Sequence, residues 1–284
     1  MSTSAGVALV TGTSSGIGLR TAVGLARAGL TVVATMRDPN QAQRLLDAAE
    51  EAGLQHGGSI EVQPLDVTDA VNAAGCVERV LSDHGRLDVL VNNAGRGAVA
   101  TLEQLSDEDL QAQLEVNYLA VARLTRLVLP AMRAQGSGRV VTVTSVGGVV
   151  GQPFADAYCG AKFAVEGLMQ SLAPVAATFG VTVSVVEPGA VASDFVGNVA
   201  GAPQGTDADD PYADLLAAYL RRTAGAFDHA QSPTDAAAVV VEACTTEQPR
   251  FRWQTSDGAS AFAGFSLADL DGSRVLDQTS TWLA

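Results

Sequence analysis

The chain has a single lysine, and it follows a tyrosine by four residues, in the pair Tyr158 and Lys162. Residues at positions i and i+4 share one face of a helix, so the ammonium group can lie beside the phenol. A nearby cation favours the phenolate and lowers the pKa of a tyrosine from about 10. The pair therefore predicts general acid–base chemistry near neutral pH. A tyrosine and a lysine that merely share a helix surface have the same spacing.

A glycine-rich turn from Thr11 to Gly18 is a second motif that could have a chemical function. It follows an apolar strand pattern and opens a helical pattern. Glycines let a phosphate approach closely, and a helix N-terminus offers free N–H donors and a favourable dipole. The G-x-x-x-G-x-G spacing differs from the standard dinucleotide fingerprint. Its place after the first strand predicts nucleotide binding, with a tight strand-to-helix connection as the alternative.

The elements that must position these residues alternate between short apolar runs and longer helical patterns. Strands are predicted at residues 7–11, 31–35, 60–65, 87–91, 140–144, 181–187 and 250–255. Helices are predicted at residues 17–28, 41–52, 70–84, 107–134, 155–179, 212–227 and 236–243. Nearly all-apolar strands in β-α alternation predict an α/β fold with a doubly wound (Rossmann) parallel sheet and helices on both faces. One domain is expected over residues 1–284, with an appendage at about 257–284.

Composition limits the classes of partner. A net charge of −14 and a pI near 4.5 argue against binding to nucleic acid or to an anionic membrane surface. No signal peptide, membrane span or metal site is expected. The three cysteines are odd in number and widely spaced, which favours a reducing cytoplasm over a disulfide framework.

Several motifs in register make the chain resemble the short-chain dehydrogenase/reductase family. The family's T-G-x-x-x-G-x-G turn matches Thr11 to Gly18, its N-N-A-G run matches Asn92 to Gly95, and its P-G matches Pro188 and Gly189. The stretch from 145 to 195 further resembles the estrogenic hydroxysteroid and retinol dehydrogenase branch. The family's catalytic set matches Asn117, Ser145, Tyr158 and Lys162.

The resemblance implies a nicotinamide dinucleotide cofactor. In relatives that use NAD(H), an aspartate stands where this chain has Met36, whereas Arg37 matches the arginine that selects NADP(H). NADP(H) is therefore expected ahead of NAD(H), although Asp38 could pair with Arg37 instead. The implied cofactor contacts are Gly12, Ser14, Ser15, Gly16, Ile17, Gly18, Arg37, Asp66, Val67, Asn93, Ala94, Gly95, Tyr158, Lys162, Pro188, Gly189 and Val191.

The resemblance also implies hydride transfer between the nicotinamide and a ketone or secondary alcohol. Tyr158 would be the general acid or base, Lys162 would hold the ribose and lower the pKa of Tyr158, Ser145 would donate to the substrate oxygen, and Asn117 would hold a water. A strand-end cap for Ser145 and a helix hydrogen bond for Asn117 are the plain structural alternatives. A cofactor-retaining epimerase, dehydratase or cyclase and a non-catalytic NADP(H)-binding regulator are the alternative functions.

Small and apolar residues around the nicotinamide predict a bulky apolar substrate, such as a steroid, terpenoid or polyketide, unless they only pack the core. A lid is expected at about 192–230, and in it Arg222 replaces a sterol-contacting histidine of the estrogenic relatives. Pro174 is expected to kink a helix that in this family packs against a second subunit, and a homo-oligomer (dimer or tetramer) is expected. The expected substrate contacts are Ser145, Gly147, Val149, Phe154, Tyr158, Phe195, Tyr219, Arg222 and Phe227.

Overall fold

The structure is a computed structural model that describes residues 5–54, 59–193, 210–227 and 230–283, with the backbone alone at residues 226 and 227. The strands within these ranges are β1 Val7–Thr11, β2 Thr31–Met36, β3 Ile60–Pro64, β4 Val89–Asn92, β5 Gly138–Val143, β6 Val181–Glu187 and β7 Arg252–Gln254. They form one parallel sheet in the order β3-β2-β1-β4-β5-β6-β7.

Helices connect the strands and cover both faces of the sheet. Their bounds are α1 Gly16–Arg27, α2 Gln43–Glu51, α3 Ala70–His84, α4 Asp107–Leu114, α5 Ala120–Gln135, α6 Asp156–Ala177, α7 Ala213–Phe227, α8 Pro233–Thr245, α9 Asp257–Leu267 and α10 Ser273–Ser280. Shorter 3-10 turns include Val146–Gly148 and Thr281–Leu283, and the segment Glu115–Leu119 is π-helical.

Alternation along a strand explains why the sheet is covered on both faces. Successive side chains of a strand point to opposite faces. On β1, Leu9 belongs to one apolar core, whereas Ala8 and Val10 belong to a second core on the other face. All five residues of β1 are buried. The doubly wound parallel sheet with helices on both faces is thus confirmed.

The strand order changes direction between β1 and β4. The chain runs outward from β1 to β2 and β3 on one side, and then returns to place β4 on the other side of β1. Such a reversal opens a crevice at the carboxyl ends of the two central strands. The glycine turn follows β1 and residues 93–95 follow β4, so the fold brings both to this crevice.

The long helix expected at 107–134 is divided. The structure has α4, the π-helical segment Glu115–Leu119 and then α5. A wider turn over five residues displaces the backbone without changing the apolar periodicity enough to mark it in the sequence. The segment carries Asn117, which is completely buried.

Two further regions bear on the expectations. Pro174 lies inside α6, where a kink is expected, and the helix continues past it to Ala177. The stretch expected as an appendage contains α9, α10 and a final 3-10 turn, and it packs against Val149 and Val150 through Ala263, Phe262 and Val275. The weak periodicity of this sequence does not predict the two helices, and their apolar contacts with the rest of the fold are few.

Within the described ranges, no helix combines the length and the apolar character needed to cross a bilayer. The same part of the chain contains no group of three or more His, Cys, Asp or Glu residues that could hold a metal ion. The three cysteines, Cys76, Cys159 and Cys244, are buried free thiols.

Candidate active site

A continuous cavity of about 2060 Å³ lies at the carboxyl ends of the strands. Every residue that the sequence assigns to the cofactor lines it, from the glycine turn to Val191. Of the expected catalytic residues, Ser145, Tyr158 and Lys162 also line the cavity, whereas Asn117 lies behind its wall. The fold therefore gathers residues from distant parts of the chain into one cleft, as Gly12 and Val191 show.

Hydrogen bonds from Thr11 and Asn93 fix the glycine turn. The Thr11 hydroxyl accepts from the backbone N–H groups of Asn93 and Ala94 at 2.9 and 3.0 Å. The Asn93 side chain donates to the carbonyls of Thr11 and Gly12 at 2.9 and 3.0 Å. A Cβ atom at Gly18 would lie 2.3 Å from Asn93 Nδ2 and from the Gly12 oxygen. The two loops at the switch point are thus locked together, and Asn93 supports the turn from behind.

The turn presents backbone donors to the cavity. Gly12 and Gly16 adopt left-handed φ angles of 70° and 59°, which favour glycine. Ser15 is the N-cap of α1 but makes no side-chain cap bond, so the first N–H groups of α1 have no capping acceptor from it. Free donors at a helix N-terminus bind phosphate well. This arrangement fits the pyrophosphate of a dinucleotide.

We expect Thr11→Val to lower the free energy of unfolding by about 2 kcal/mol, because two partly buried N–H groups lose their acceptor. The matched control is Thr21→Val. Thr21 is equally buried, but its hydroxyl has no hydrogen-bond partner, so this change should leave stability unchanged or raise it. Denaturant unfolding measures both values. Equal losses in the two variants would contradict the role given to the Thr11 hydroxyl.

The end of the cleft at Arg37 has the residues expected around the adenosine. Arg37 is exposed and lines the cavity. The Asp38 carboxylate accepts from Asn40 N and Nδ2 at 3.0 and 2.9 Å, so it caps the following 3-10 turn. The pairing of Asp38 with Arg37 that would argue for NAD(H) is therefore replaced by a local capping role.

The Asp66 loop is held in place before any ligand arrives. Asp66 Oδ1 accepts from the N–H and the hydroxyl of Thr68 at 2.9 and 2.7 Å. These bonds, and the charge of Arg37, lower the pKa of Asp66. The Arg123 guanidinium donates to the Val67 carbonyl at 2.8 Å and pairs with Glu115 at 2.7 Å. Sequence reasoning missed Glu115 and Arg123, whose link to Val67 exists only in the folded chain.

Ser145 and Tyr158 meet at the centre of the cavity. The Ser145 hydroxyl is hydrogen-bonded to the Tyr158 phenol and accepts from Gly147 N at 3.0 Å. Ser145 is also the N-cap of the turn Val146–Gly148, so the plain structural role and the chemical role coexist. A Cβ atom at Gly147 would lie 3.3 Å from Tyr158 Cε1. A side chain at position 147 would therefore crowd the tyrosine ring.

The expected lowering of the Tyr158 pKa is not found. Burial of the phenol raises its pKa, and the hydrogen bond with Ser145 opposes this shift only in part. Lys162 Nζ is 5.9 Å from the centre of the Tyr158 ring and donates to the Val143 carbonyl at 3.1 Å. Removal of the phenol from water therefore outweighs the cation at this distance.

Lys162 is itself strongly affected by burial. It is 5% exposed, and burial lowers its pKa to about 8, while the charge of Glu166 acts in the opposite direction. An ammonium with this pKa can still carry its charge at neutral pH. It also has donors beyond the bond to Val143, and these face the cavity that it lines.

Asn117 positions the loop that follows β4. Its Nδ2 donates to the Arg96 carbonyl and to Gln113 Oε1, both at 2.9 Å, and its Oδ1 accepts from Arg96 N at 3.3 Å. Both amide hydrogens are therefore engaged, which leaves a bound water only the remaining acceptor capacity of the side chain. A Cβ atom at Gly95 would lie 2.9 Å from Asn117 Oδ1 and 3.6 Å from Lys162 Nζ.

The expected substrate contacts fall into three groups. Ser145, Tyr158, Tyr219 and Arg222 line the cavity. Gly147, Val149 and Phe154 lie behind its wall, because each packs against a second element of the fold. Phe195 and the Phe227 side chain, like residues 194–209 and 228–229 of the expected lid, are outside the described residues.

Phe154 has an unusual backbone for its place behind the wall. Its φ of 57° is in the left-handed region, which a bulky residue rarely adopts. Its carbonyl accepts from Ala100 N at 2.8 Å, and its ring lies 5.5 Å from the ring of Tyr219. Strained backbone of this kind persists where surrounding contacts determine it. Phe154 thus connects the start of α6 to α7.

The carboxyl-terminal segment, residues 256–282, forms one wall of the cavity (the far wall), and sequence reasoning missed it. The Phe262 and Trp282 rings stack at 5.9 Å, and the Arg222 guanidinium lies 5.9 Å from the Trp282 ring. All three residues line the cavity. The aromatic residues of this segment were a signal available in the sequence. Further lining residues from this segment are Ser256, Gly258, Ala259, Ala261, Phe265 and Gln278.

Comparison with known proteins gives a consistent family. Residues 6–203 match the family model described as short chain dehydrogenase. The chain is 39% identical to 17-beta-hydroxysteroid dehydrogenase type 1 of Homo sapiens, over 95% of this chain and 83% of that protein. It is 38% identical to retinol dehydrogenase 8 of Bos taurus, over 93% of this chain and 86% of that protein.

A solved structure agrees with these matches. A short-chain dehydrogenase from Streptomyces avermitilis superimposes with a TM-score of 0.81 at 34% identity, and the alignment covers 98% of each chain. The high coverage extends the likeness beyond the residues of the family model and into the segment that forms the far wall.

Proposed function

Because the chain belongs to the short-chain dehydrogenase family, in the branch of hydroxysteroid and retinol dehydrogenases, we propose that it is an NADP(H)-dependent oxidoreductase of bulky apolar ketones and secondary alcohols. The observation that carries this proposal is the cavity itself. It joins a phosphate-binding turn, a tyrosine–lysine–serine group and an aromatic far wall in one space. A cofactor-binding regulator would not require the aromatic far wall.

The residues present fit a nicotinamide dinucleotide. The glycine turn and the N-terminus of α1 would hold the pyrophosphate, Asp66 and Val67 would hold the adenine, and Lys162 would hold the nicotinamide ribose. When bound, this cofactor supplies the hydride exchanged with the carbonyl carbon. All other parts of the chemistry are functions of side chains.

Tyr158 and Ser145 handle the oxygen of the substrate. In ketone reduction the Tyr158 hydroxyl donates a proton to the carbonyl oxygen, and in alcohol oxidation the phenolate accepts it. Ser145 donates a hydrogen bond to the same oxygen and stabilises developing negative charge. Because burial raises the pKa of Tyr158, the protonated phenol is the dominant form at neutral pH. This form can donate the proton in ketone reduction, and the charge of Lys162 favours the phenolate that alcohol oxidation needs.

Preference for NADP(H) rests on Arg37. Its guanidinium is exposed at the adenosine end, and Asp38 is occupied by its own turn. Met36 precedes it and offers no carboxylate for the ribose hydroxyls. A planar guanidinium pairs well with a phosphate on the 2′-oxygen.

The far wall supports the substrate class. Tyr219, Leu216 and the Phe262–Trp282 stack give the cavity an apolar surface, with Arg222 beside Trp282. Such a wall fits a polycyclic or long apolar substrate, and Arg222 can accommodate a polar or acidic group at the distal end.

We expect Trp282→Ala to raise KM for a bulky ketone about tenfold, which corresponds to about 1.4 kcal/mol of lost apolar contact. The kcat should change little, because Trp282 belongs to the far wall and not to the reacting groups. A small ketone should show no change in KM. Leu270→Ala is the control, since Leu270 is in the same segment and is fully exposed. Equal effects on large and small ketones would contradict this use of the wall.

We also propose a homo-oligomer located in the cytoplasm. Phe163, Val175 and Phe179 give the outer side of α6 and the residues just after it an exposed apolar surface, as a subunit contact requires. The free cysteines fit a reducing compartment. Light scattering or sedimentation of the purified protein gives the mass, and a monomer at micromolar concentration would contradict the oligomer.

The direct test is a spectroscopic assay with a panel of apolar ketones and secondary alcohols and with both cofactors. NADPH consumption that depends on a bulky ketone is the expected result. Tight NADPH binding without turnover of any carbonyl would favour the regulator. Conversion of substrate without net change in NADPH would favour an epimerase, dehydratase or cyclase.

A further inference from the structure

Directly outside the cavity lining, next to Lys162, lies a group of buried charges. Glu166 and Glu187 are 4% and 0% exposed. Both approach one guanidinium, with Arg252 Nη2 3.1 Å from Glu166 Oε2 and Arg252 Nη1 3.5 Å from Glu187 Oε1. Buried carboxylates are costly unless they are paired. Glu166, Glu187 and Arg252 have no function in the proposed proton and hydride transfer.

The Glu166 carboxylate is held in one place. Its Oε1 accepts from the Thr144 hydroxyl at 2.6 Å, and Thr144 directly precedes Ser145. A Cβ atom at Gly148 would lie 3.0 Å from Glu166 Cγ, so the stem of the side chain is closely packed. Glu166 thus connects α6 to the end of β5 that carries the serine.

Glu166 is also one helical turn after Lys162, on the same face of α6. Its charge acts on the ammonium, whereas Glu187 acts on Glu166 and not on Lys162. One guanidinium faces two carboxylates here. Among the described residues, Lys162 is the second cation that balances this group.

We propose that Glu166 is a positioning residue for Lys162: its buried carboxylate, anchored by Thr144 and Arg252, keeps the lysine charged beside Tyr158. This inference rests on the proposed roles of Tyr158 and Lys162. It assigns a function to the polar network at the junction of α6, β6 and β7. Without a function, this network would only add the free-energy cost of desolvating its buried charges.

Other groups near Lys162 do not replace Glu166. On α6, Tyr158 and Cys159 are both neutral at physiological pH, because burial raises the pKa of each. From β6 and β7, Arg252 pairs with both Glu187 and Glu166. From the segments before α6, Glu115 pairs with Arg123 and Asp109 bonds to Ser106. Asn117 is polar but uncharged.

The proton affinities agree with this geometry. Burial lowers the pKa of Lys162 to about 8, and the Glu166 charge keeps it from falling further. Burial raises the pKa of Glu166 to about 7, and the hydrogen bond from Thr144 opposes that shift. The two groups therefore change charge in neighbouring pH ranges, and each affects the other.

The single lysine makes a direct test possible. The full-length protein, prepared with lysine isotopically labelled at Cε, gives one lysine side-chain signal in an NMR spectrum, which can only be Lys162. We expect Glu166→Gln to lower the pKa read from this signal by about one unit or more, the usual effect of losing an opposite charge nearby. Glu187→Gln is the matched control and should shift it by less.

The wild-type protein gives a second reading that needs no variant. Its lysine signal should show an inflection near neutral pH from Glu166, besides the inflection of its own ammonium group. The first inflection should vanish in Glu166→Gln and persist in Glu187→Gln. A single inflection in the wild-type curve, or equal lysine pKa values in a folded Glu166→Gln variant and the wild type, overturns the proposal.

The activity profile separates positioning from simple support of the fold. In Glu166→Gln the alkaline limb of kcat/KM for ketone reduction should move to lower pH by the shift seen in the spectrum. An equal loss of kcat/KM at every pH, with the alkaline limb at its wild-type position, means a purely structural role and overturns the proposal. If no carbonyl is turned over at all, the proposed function fails, and the lysine titration still decides the inference.

Discussion

Tyr158→Phe is expected to lower kcat by about 10²- to 10⁴-fold, the usual contribution of a general acid or base. The Tyr158 side chain is half-buried and its phenol is hydrogen-bonded to Ser145, so phenylalanine fits the same space and removes only the hydroxyl. Cofactor affinity should be almost unchanged, because Lys162 and the glycine turn remain. Steady-state kinetics and NADPH fluorescence titration measure the two quantities.

The matched control is Tyr118→Phe. Tyr118 packs against the apolar core and does not line the cavity, so this variant should keep its activity. If Tyr158→Phe kept near-normal kcat, the acid–base assignment would be wrong. If it lost NADPH binding as well, the tyrosine would have a larger part in holding the cofactor than the geometry gives it.

Arg37→Asp is expected to reduce the NADP(H)/NAD(H) ratio of kcat/KM by about 10- to 100-fold or more. Loss of a hydrogen bond to a charged group costs about 1.5–3 kcal/mol, and the new carboxylate adds repulsion of the 2′-phosphate. The same carboxylate can accept from the ribose hydroxyls of NAD(H), which increases the change in ratio.

Arg20→Asp controls for the change in net charge. Arg20 is exposed on α1 and does not line the cavity, so its replacement should leave the ratio unchanged. The ratio is measured with one ketone substrate and both reduced cofactors. An unchanged ratio in Arg37→Asp would show that the preference has its origin elsewhere in the cleft.

Local signals in the sequence were sufficient for much of the fold. The bounds expected for α3 and β6 are those observed. For α3 the reason is visible: Asp69 caps its first turn by accepting from Val71 N and Asn72 N, and Gly85 ends it with a φ of 70°. Such caps depend on neighbouring residues, so the sequence alone contains them.

What the sequence could not show depends on distant contacts. The π-helical segment around Asn117 leaves the apolar periodicity intact, and burial, not the spacing of Tyr158 and Lys162, decides the direction of the tyrosine pKa. Glu166 acquires its charge partner Arg252 only through the pairing of β6 with β7. The far wall likewise arises from a tail with weak periodicity that folds back onto Val149 and Val150.

The two ends of the cavity are built from separate parts of the chain. Residues 12–97 supply most of the nucleotide end, whereas residues 216–282 supply the wall opposite the reacting groups. Apart from Arg252, which anchors Glu166, mutations in the second region can therefore accumulate without altering the nucleotide end or the reacting residues Ser145, Tyr158 and Lys162. A lineage could therefore change the hydrophobic metabolite that it uses and keep the same redox residues. The later part of the gene is the place where a new substrate preference requires the fewest changes.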